Sequence, residues 1–247
     1  MKSFTKMEGL GNSFVVFQGP YTPSPKQVVA YCVASDVDGL LVVTSINDKL
    51  VEMKYWNHDG SVAEMCGNGL RCVTRFAVDN KLVAPGNFNV KTDAGILAVI
   101  WGGEDPNVIE VQVGKVKVSQ ASISRQNLDF AIAAVGNPHA VTFVEDITFA
   151  PVRTLGPEIE NDAYFPNKTN VEFVQIISPR QITMRIWERG VGETKACGTG
   201  MVASATVGFK KGFTEYPVEV TVPGGRAKIW VDEAGYSRMV APALLLK

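Results

Sequence analysis

A tetrapeptide of the form Cys-Gly-x-Gly occurs twice in this chain, and each copy is followed by a run with helical character. The copies are Cys66-Gly67-Asn68-Gly69 and Cys197-Gly198-Thr199-Gly200. Glycines at the start of a helix leave the first backbone N–H groups accessible, and these groups attract anions such as a carboxylate. A cysteine at such a position is expected to lose its proton more readily than free cysteine. The repeat therefore predicts two reactive thiols that share one substrate.

The similarity extends upstream of each cysteine. Trp56 and Trp187 each end a strand-like run, ten residues before Cys66 and Cys197. A second similarity pairs the strand that begins at Asn12 with the strand that begins at Asn170. We therefore predict two related halves, each with one strand–loop–Cys–helix unit. The polar run near 119–124 is the candidate boundary, which gives an N-terminal half of residues 1–115 with 237–247 and a C-terminal half of residues 116–236.

The chain contains many strand-like runs and few long helical ones. A mixed sheet curled around one helix in each half fits this order better than an alternating βαβ arrangement. The predicted fold class is therefore α/β (α+β). A chain of 247 residues, 46% of them apolar, is long enough for one large domain or two small ones.

Composition excludes several classes of partner. The formal net charge of −1 predicts no general attraction to nucleic acid or to a membrane surface. No apolar run approaches the ~20 residues that span a bilayer, and the first residues lack the apolar core of a signal peptide. We expect a cytoplasmic protein that acts on a small molecule.

The four cysteines do not form a metal-binding pattern. Cys66 and Cys72 are spaced C-x5-C, which is not a zinc-knuckle spacing, so no metal is predicted. Cys72 lies on nearly the opposite helix face from Cys66 and is expected to be a small buried hydrophobic residue. Cys32, within an apolar run, is interpreted in the same way.

Two thiols at two helix starts suit a two-base racemase or epimerase. One thiolate removes the α-proton of an amino acid, and the opposite thiol delivers a proton to the other face. The N–H groups of Gly67–Asn68 and Gly198–Thr199 would bind the α-carboxylate and stabilise the charge that develops on it. No cofactor is required, and the chain contains no glycine-rich phosphate loop or dinucleotide fingerprint.

The whole chain resembles the diaminopimelate epimerase family. The motifs that carry the resemblance are Gly9-Leu10-Gly11-Asn12, residues 57–71 (NHDGSVAEMCGNGLR), Gly136-Asn137-Pro138-His139, residues 156–160 (GPEIE), residues 169–173 (TNVEF) and residues 187–200 (WERGVGETKACGTG). The resemblance implies a cofactor-independent enzyme that interconverts LL- and meso-diaminopimelate for lysine and peptidoglycan synthesis. It also implies two pseudo-symmetric domains that face each other across a cleft, often in a homodimer.

The resemblance also implies roles for individual residues. Cys66 and Cys197 would be the base and the acid, and the substrate would be held by a set of polar side chains: Asn12, Asn57, Asn137, Asn170, Glu188 and Arg189. An arginine suits the distal carboxylate, and asparagine both donates and accepts hydrogen bonds. His139 and Glu188 are candidates for tuning a thiol.

This chain departs from the family pattern at two places. Ser13 follows Asn12 where the family usually has aspartate, and the loop Ala34–Gly39 differs from the usual sequence and follows a shortened segment. Gly39 can still offer a backbone contact to the substrate. These departures leave open the racemisation of another amino acid on the same scaffold.

Structural interpretations compete with these roles. His139 can serve packing alone, Asn137 before Pro138 can form a simple turn, and Arg71 with Arg75 is interpreted as an exposed helix face. Two rival functions belong to other classes. One is a metal-binding or redox module that uses Cys66, Cys197 and His139, and the other is a non-catalytic amino-acid-binding paralogue.

Overall fold

The computed structural model describes residues 3–63, 65–101, 105 and 107–247. The chain divides into two compact units. Unit 1 contains residues Met1–Gln112 and Val240–Lys247, and unit 2 contains residues Val113–Met239. Both contain α-helices and a mixed sheet, which confirms the predicted α/β class. No helix in the described part of the chain is long and apolar enough to cross a membrane.

Unit 1 is built on a mixed sheet with two helices. The elements, in chain order, are β1 (Thr5–Gly9), β2 (Asn12–Gln18), α1 (Pro25–Ser35), β3 (Gly39–Asn47), β4 (Leu50–Asn57), β5 (Val62–Ala63), α2 (Gly67–Asp79), β6 (Gly86–Thr92), β7 (Gly95–Trp101) and β8 (Val108–Gly114), the last of which ends in unit 2. Strand β1 pairs antiparallel with β2, β2 parallel with β3, β3 antiparallel with β4, β4 parallel with β6, and β6 antiparallel with β7. The short β5 is antiparallel to β4.

Unit 2 repeats this arrangement. Its elements are β9 (Lys117–Arg125), β10 (Leu128–Val135), β11 (Asn137–Phe143), a 3-10 turn (Ile147–Phe149), α3 (Val152–Glu160), β12 (Asn170–Ser178), β13 (Gln181–Glu188), β14 (Gly192–Thr194), α4 (Gly198–Lys210), β15 (Val218–Val222) and β16 (Gly225–Val231). The pairings β10–β11, β11–β12, β12–β13, β13–β15 and β15–β16 follow the same order of antiparallel and parallel contacts, and the short β14 is antiparallel to β13. Strands β17 (Ser237–Pro242) and β18 (Leu244–Leu245) follow, and β18 pairs with β1.

The repeat in topology fixes which residues correspond between the units. Asn12 begins β2 and Asn137 begins β11, so these two asparagines are counterparts. The predicted correspondence of Asn12 with Asn170 is therefore wrong, because Asn170 begins β12, the counterpart of β3. The strand that follows Asn170 resembles the one that follows Asn12 because both are buried parallel strands with similar apolar runs.

One helix occupies the centre of each unit. Helix α2 packs against β1, β2, β3, β4 and β7, and α4 packs against the corresponding β10, β11, β12 and β16 together with β15. Every residue from Gly67 to Thr74 and from Gly198 to Gly208 is buried. The small residues of α4 allow the surrounding strands to approach closely, and a helix that is buried all round is typical of a domain core. The prediction of a mixed sheet around a central helix in each half is confirmed.

The outer helices contact the other face of each sheet. Helix α1 begins with a capping box in which Ser24 and Gln27 satisfy each other's backbone N–H groups. Val28 and Cys32 on this helix join the apolar cluster of β2 and β3, which includes Val15, Phe17 and Leu40. In unit 2, α3 covers a corresponding cluster around Phe130 and Phe173. Strands β2 and β3 therefore pack against both α1 and α2, and β12 packs against both α3 and α4.

Candidate functional site

Cys66 is the N-cap residue of α2. Its backbone is extended, and its sulfur accepts a hydrogen bond from the Gly69 N–H at 3.4 Å. The Cys66 thiol also lies 3.6 Å from Asn12 Oδ1, which accepts from it. The side chain is half-buried. The structure thus brings together Cys66, Asn12 and the first turn of α2, and the predicted anion-binding role of this turn stays a prediction.

A buried arginine forms hydrogen bonds with the first turn of α2. Arg71 is fully buried, and its guanidinium donates to the Gly67 carbonyl, to Asn68 Oδ1 and to the Pro242 carbonyl at 3.3, 2.9 and 3.1 Å. The interpretation of Arg71 and Arg75 as an exposed helix face is wrong, because the Arg71 side chain lies between α2 and the chain segment at Pro242 and Arg75 donates to the neighbouring Ala243 carbonyl. Burial lowers the pKa of Arg71 to about 10, while the neighbouring Cys72 and Cys66 act in the opposite direction.

The other predicted residues of unit 1 lie at the ends of β3 and β4. Gly39 and Asn57 are directly opposite each other in the antiparallel register. A Cβ atom at Gly39 would lie 2.7 Å from the Tyr55 ring and 2.8 Å from the Trp56 carbonyl, so only glycine fits there. Asn57 Nδ2 donates to Ser61 Oγ at 3.0 Å and stabilises the turn towards β5.

The altered loop before Gly39 is held in place by Ser13. The Ser13 N–H and hydroxyl both donate to Asp38 Oδ2, at 2.7 and 3.1 Å, and the Asp38 N–H donates to the Ser13 carbonyl at 2.9 Å. The carbonyl of Val37 contacts His58 Nδ1 at 2.9 Å. The two departures from the family pattern thus contact each other.

Cys197 is the N-cap residue of α4, but its surroundings differ from those of Cys66. It is 7% exposed, and its sulfur lies 3.4 Å from Thr199 Oγ1. Burial raises the pKa of the Cys197 thiol well above its ordinary value, and the carboxylates of Glu188 and Glu172 add to this. Hydrogen bonds from Thr199 and from the Gly200 N–H act in the opposite direction. The expectation that both helix-start cysteines lose their protons readily is therefore wrong for Cys197, because desolvation outweighs the helix terminus.

Glu188 is the acidic group in direct contact with Cys197. Burial raises the pKa of the Glu188 carboxyl, and its hydrogen bonds with Thr194 and Cys197 act in the opposite direction. Thr194 Oγ1 donates to Glu188 Oε1 at 2.5 Å. The prediction that Glu188 belongs to the thiol site, rather than to a separate surface pair, agrees with this contact.

Asn137 and His139 connect to Cys197 through Thr199. Asn137 Nδ2 donates to Thr199 Oγ1 at 3.3 Å, and Asn137 Oδ1 accepts from His139 Nε2 at 3.1 Å. His139 is fully buried, and its Nδ1 lies 2.6 Å from Glu172 Oε1. Asn137 begins strand β11, so it does not form the simple turn that was the alternative. His139 is packed in the core and is also part of a hydrogen-bonded chain that ends at Cys197.

Asn170 is hydrogen-bonded both to the segment that contains Asn137 and His139 and to the backbone of Arg189. Asn170 Nδ2 donates to the Pro138 carbonyl at 2.9 Å, and Asn170 Oδ1 accepts from the Arg189 N–H at 3.0 Å. Arg189 is exposed, and its guanidinium donates to the Asn167 carbonyl at 3.2 Å. Glu160 holds the adjacent turn, since its carboxylate accepts from the Gly190 N–H and from the Trp187 ring N–H.

The remaining cysteines are structural. Cys32 and Cys72 are both fully buried, as predicted, and burial raises their pKa values to about 11 and about 12. Among the described residues there is no group of three or more His, Cys, Asp and Glu side chains arranged to hold a metal ion.

Comparisons with known proteins identify the family. The family model described as diaminopimelate epimerase matches residues 4–119 and 131–244. The chain is 36% identical over 266 residues to a diaminopimelate epimerase of Pseudomonas paraeruginosa, with 98% of this chain and 95% of that protein aligned. It is 37% identical over 272 residues to one from Halothermothrix orenii, at 98% and 94% coverage. The chain belongs to the diaminopimelate epimerase family.

Solved structures of distant relatives show the same fold. A Pseudomonas aeruginosa protein described as a predicted epimerase superposes with a TM-score of 0.78 at 11% identity, over 100% of this chain and 98% of that one. A hydroxyproline epimerase of Agrobacterium vitis superposes with a TM-score of 0.71 at 13% identity, over 98% and 88%. At these identities the match concerns the fold alone, which is the repeated two-domain fold of diaminopimelate epimerase relatives.

Sequence reasoning does not single out two buried charged residues, Glu172 and Arg71, as functional candidates. Glu172 was interpreted only as part of a strand, and Arg71 as a surface cation. The signal for Glu172 was present, since a glutamate in the run Asn170-Val171-Glu172-Phe173 interrupts an otherwise apolar buried strand. The signal for Arg71 was weaker, because arginine is ordinary on a helix and only its neighbours Leu70 and Cys72 are apolar.

Proposed function

We propose that this chain is a diaminopimelate epimerase that inverts one α-carbon with two thiols and without a cofactor. The observation that carries the proposal is the repeated placement of a cysteine as the N-cap of a buried central helix, in a chain that belongs to this family. Each thiol would act on one face of the same α-carbon. The family membership supports the substrate, and the chemistry of the paired helix starts supports the mechanism.

In the proposed reaction, the ionised thiol abstracts the α-proton and the protonated thiol donates to the opposite face. The cysteine that removes the proton ends the turnover as a thiol, and the other ends it as a thiolate, so the reverse reaction exchanges their roles. The buried Cys197, whose pKa is raised, is suited to begin as the acid. Cys66, half-buried beside the Arg71 cation, is suited to begin as the base.

The polar residues around each thiol would bind and orient the substrate. Backbone N–H groups at the starts of α2 and α4 would take the α-carboxylate and stabilise the negative charge that develops during proton abstraction, a term worth about 3 kcal/mol for one donor. Asn12, Asn57, Asn137 and Asn170 would bind the amino and carboxylate groups. Arg189, which is exposed and lies on the turn after β13, would bind the distal carboxylate.

The test is isotope exchange at the α-carbon of LL-diaminopimelate in deuterated water. Replacement of Cys66 by Ser, or of Cys197 by Ser, should lower the rate of epimerisation by about 10²–10⁴-fold, the range for loss of a positioned acid or base. Cys32→Ala is the matched control, because Cys32 is buried in unit 1 away from the helix start. Full activity in either serine variant would exclude the two-thiol mechanism.

A panel of amino acids separates the substrate assignment from the mechanism. Turnover confined to diaminopimelate supports the proposal, and turnover of a monocarboxylate amino acid alone would instead assign a different racemase, consistent with the altered loop before Gly39. Binding of diaminopimelate without deuterium exchange would identify a non-catalytic paralogue. A cytoplasmic location and a homodimer stay predictions.

A further inference from the structure

Glu160 is a buried carboxylate that takes part in none of the proposed chemical steps. It is the last residue of α3 and is 5% exposed. Its Oε2 accepts from the Trp187 indole N–H at 2.7 Å, and its Oε1 accepts from the Gly190 backbone N–H at 2.9 Å. Lys168 Nζ lies 3.3 Å from Oε1. A carboxylate removed from water is costly unless donors surround it, and here three donors do so.

Two of these donors lie on either side of the predicted substrate-binding residues Glu188 and Arg189. The Val191 N–H donates to the Glu188 carbonyl at 3.1 Å, which closes a turn over residues 188–191 in which Gly190 has φ 75°. Gly190 is exposed, so water could satisfy its N–H group. The donation to a buried carboxylate instead ties this turn to the end of α3.

Tight packing places α3 directly against Trp187. A Cβ atom built at Gly156, one helical turn before Glu160, would lie 2.8 Å from Trp187 Cβ and Cγ. The helix therefore lies as close to the tryptophan as a glycine allows, and the carboxylate reaches the indole N–H from that position. The Arg189 N–H has a different acceptor, Asn170 Oδ1, at 3.0 Å. Two side chains thus hold successive N–H groups of the turn.

The corresponding turn of unit 1, residues 57–60, is held by a backbone acceptor. The Gly60 N–H donates to the Asn57 carbonyl at 2.9 Å and closes the turn in the same way. His58 Nδ1 lies 2.9 Å from the Val37 carbonyl. A hydrogen bond to a charged acceptor is roughly twice as strong as one between neutral groups. The turn of unit 2 is therefore held more firmly, by a charge that comes from a neighbouring helix.

We propose that Glu160 is a positioning residue that fixes the turn of residues 188–191, and with it Glu188 and Arg189, for substrate binding. The inference rests on the proposed function, in which Arg189 binds the distal carboxylate of diaminopimelate. That contact is made both in the ground state and in the transition state. Its displacement therefore raises KM more than it lowers kcat.

The first experiment is hydrogen–deuterium exchange of the full chain, resolved to single amides. The Gly190 amide of the parent should exchange slowly although this residue is exposed. Glu160→Met has a similar length and no acceptor, so exchange at Gly190 should become about tenfold faster or more, as for loss of a hydrogen bond to a charged group. Glu160→Gln keeps one acceptor oxygen for two donors and should lie between. The Arg189 amide, which donates to Asn170, should change less.

The second experiment is steady-state epimerisation of diaminopimelate by the same variants. We expect KM to rise about tenfold in Glu160→Met, with kcat lowered by about threefold or less. Glu158→Met is the matched control, because Glu158 lies on the same helix, is exposed and accepts from Gln126 at 3.0 Å. This control should leave KM, kcat and the exchange of Gly190 at their parent values.

Two results would overturn the proposal in a folded Glu160→Met protein. One is unchanged exchange at Gly190, and the other is faster exchange with KM and kcat unchanged, which would reduce Glu160 to a structural anchor. If no variant at this position folds, the parent decides, since a Gly190 amide that exchanges as fast as in an unstructured peptide also overturns it. The exchange measurement needs no substrate. An inactive parent would therefore contradict the proposed function, while the amide data still decide whether Glu160 holds the turn.

Discussion

Five residues after the cysteine, the central helix carries Arg71 in unit 1 and Val202 in unit 2, and both side chains are fully buried. In the strands next to the helix, the polar and charged residues lie in unit 2 and the apolar residues in unit 1. Phe14 and Leu41 in unit 1 correspond to His139 and Glu172 in unit 2. The backbone frame is the same in both units, with the same order of strand pairings and a cysteine as the helix N-cap.

The difference shows that a duplicated frame can give two chemically distinct thiols. The helix start supplies the same kind of N–H groups in both units, so any difference between the two thiols has to come from other residues. The surroundings of the two thiols do differ: buried Arg71 lies near the start of α2, whereas Glu188, Glu172 and His139 lie near the start of α4. Charges in a core have large effects because they are poorly screened by water.

The largest effect on stability should follow from replacing Arg71 on α2 by valine, the residue at the corresponding position of α4. Arg71→Val would leave the Gly67 and Pro242 carbonyls and the Asn68 amide oxygen without their donor. Each orphaned buried group costs about 1–3 kcal/mol, so we expect a loss of roughly 3 kcal/mol or more in the free energy of unfolding. Urea unfolding measures this. Arg226→Val, at an exposed position where the guanidinium contacts the Glu219 carboxylate at 3.5 Å, is the control, and equal losses in the two variants would contradict the buried role of Arg71.

A smaller effect should separate the two glycines at the third helix position. Gly200→Ala places a methyl group 2.7 Å from the buried Glu172 carboxylate, which is held by His139, whereas Gly69→Ala meets the flexible Leu41 side chain at 3.3 Å. Overpacking costs about 1–3 kcal/mol, and alanine recovers up to about 1 kcal/mol of helix propensity.

We therefore expect Gly200→Ala to lower the melting temperature clearly and Gly69→Ala to leave it nearly unchanged. A larger loss in Gly69→Ala than in Gly200→Ala would show that the two helix starts are not packed as described. Alkylation of Cys197 in Gly200→Ala gives a second reading, because displacement of Glu172 should change the reactivity of that thiol.

The smallest effect should appear at high pH. Cys72 is fully buried with its pKa raised to about 12, and its counterpart six residues after Cys197 is Ala203. Above pH 9 the unfolded chain ionises this thiol while the folded chain keeps it protonated, so its contribution to stability falls as the pH rises towards 12. Between pH 9 and pH 10 the loss due to Cys72 is about 1 kcal/mol. In Cys72→Ala the stability should decline less steeply over this interval, measured by urea unfolding at each pH, and an unchanged slope would contradict the burial of an ionisable thiol there.

The repeat of Cys-Gly-x-Gly was sufficient to predict the two central helices, and the many strand-like runs predicted the class of fold. The glycines, the tryptophans and the short polar turns determine local backbone structure, which depends mainly on residues nearby in the sequence. The correspondence of Asn12 with Asn137 was missed because the strands after Asn12 and Asn170 have similar apolar runs. Strand order depends on pairing between distant segments, which apolar patterning does not encode.

The electrostatic environment of Cys197 was also beyond local reasoning. Its helix-start position alone favours the thiolate, whereas Glu172 and Glu188 come from strands up to 25 residues earlier in the chain. Their proximity arises only when β12 and β13 pair beneath α4. Arg71 likewise became interpretable once its acceptor at Pro242, 171 residues away, was known. Both cases depend on contacts between residues far apart in sequence.

The donation from Arg71 to the Pro242 carbonyl has a consequence for the order of assembly during synthesis. Unit 2 is one continuous segment, whereas unit 1 also needs residues Val240–Lys247, which are translated after unit 2. While unit 2 is being made, the guanidinium lacks that acceptor and β1 lacks its neighbour β18. The first segment of unit 1 is therefore synthesised before unit 2, but unit 1 is completed only after residues 240–247 have followed unit 2.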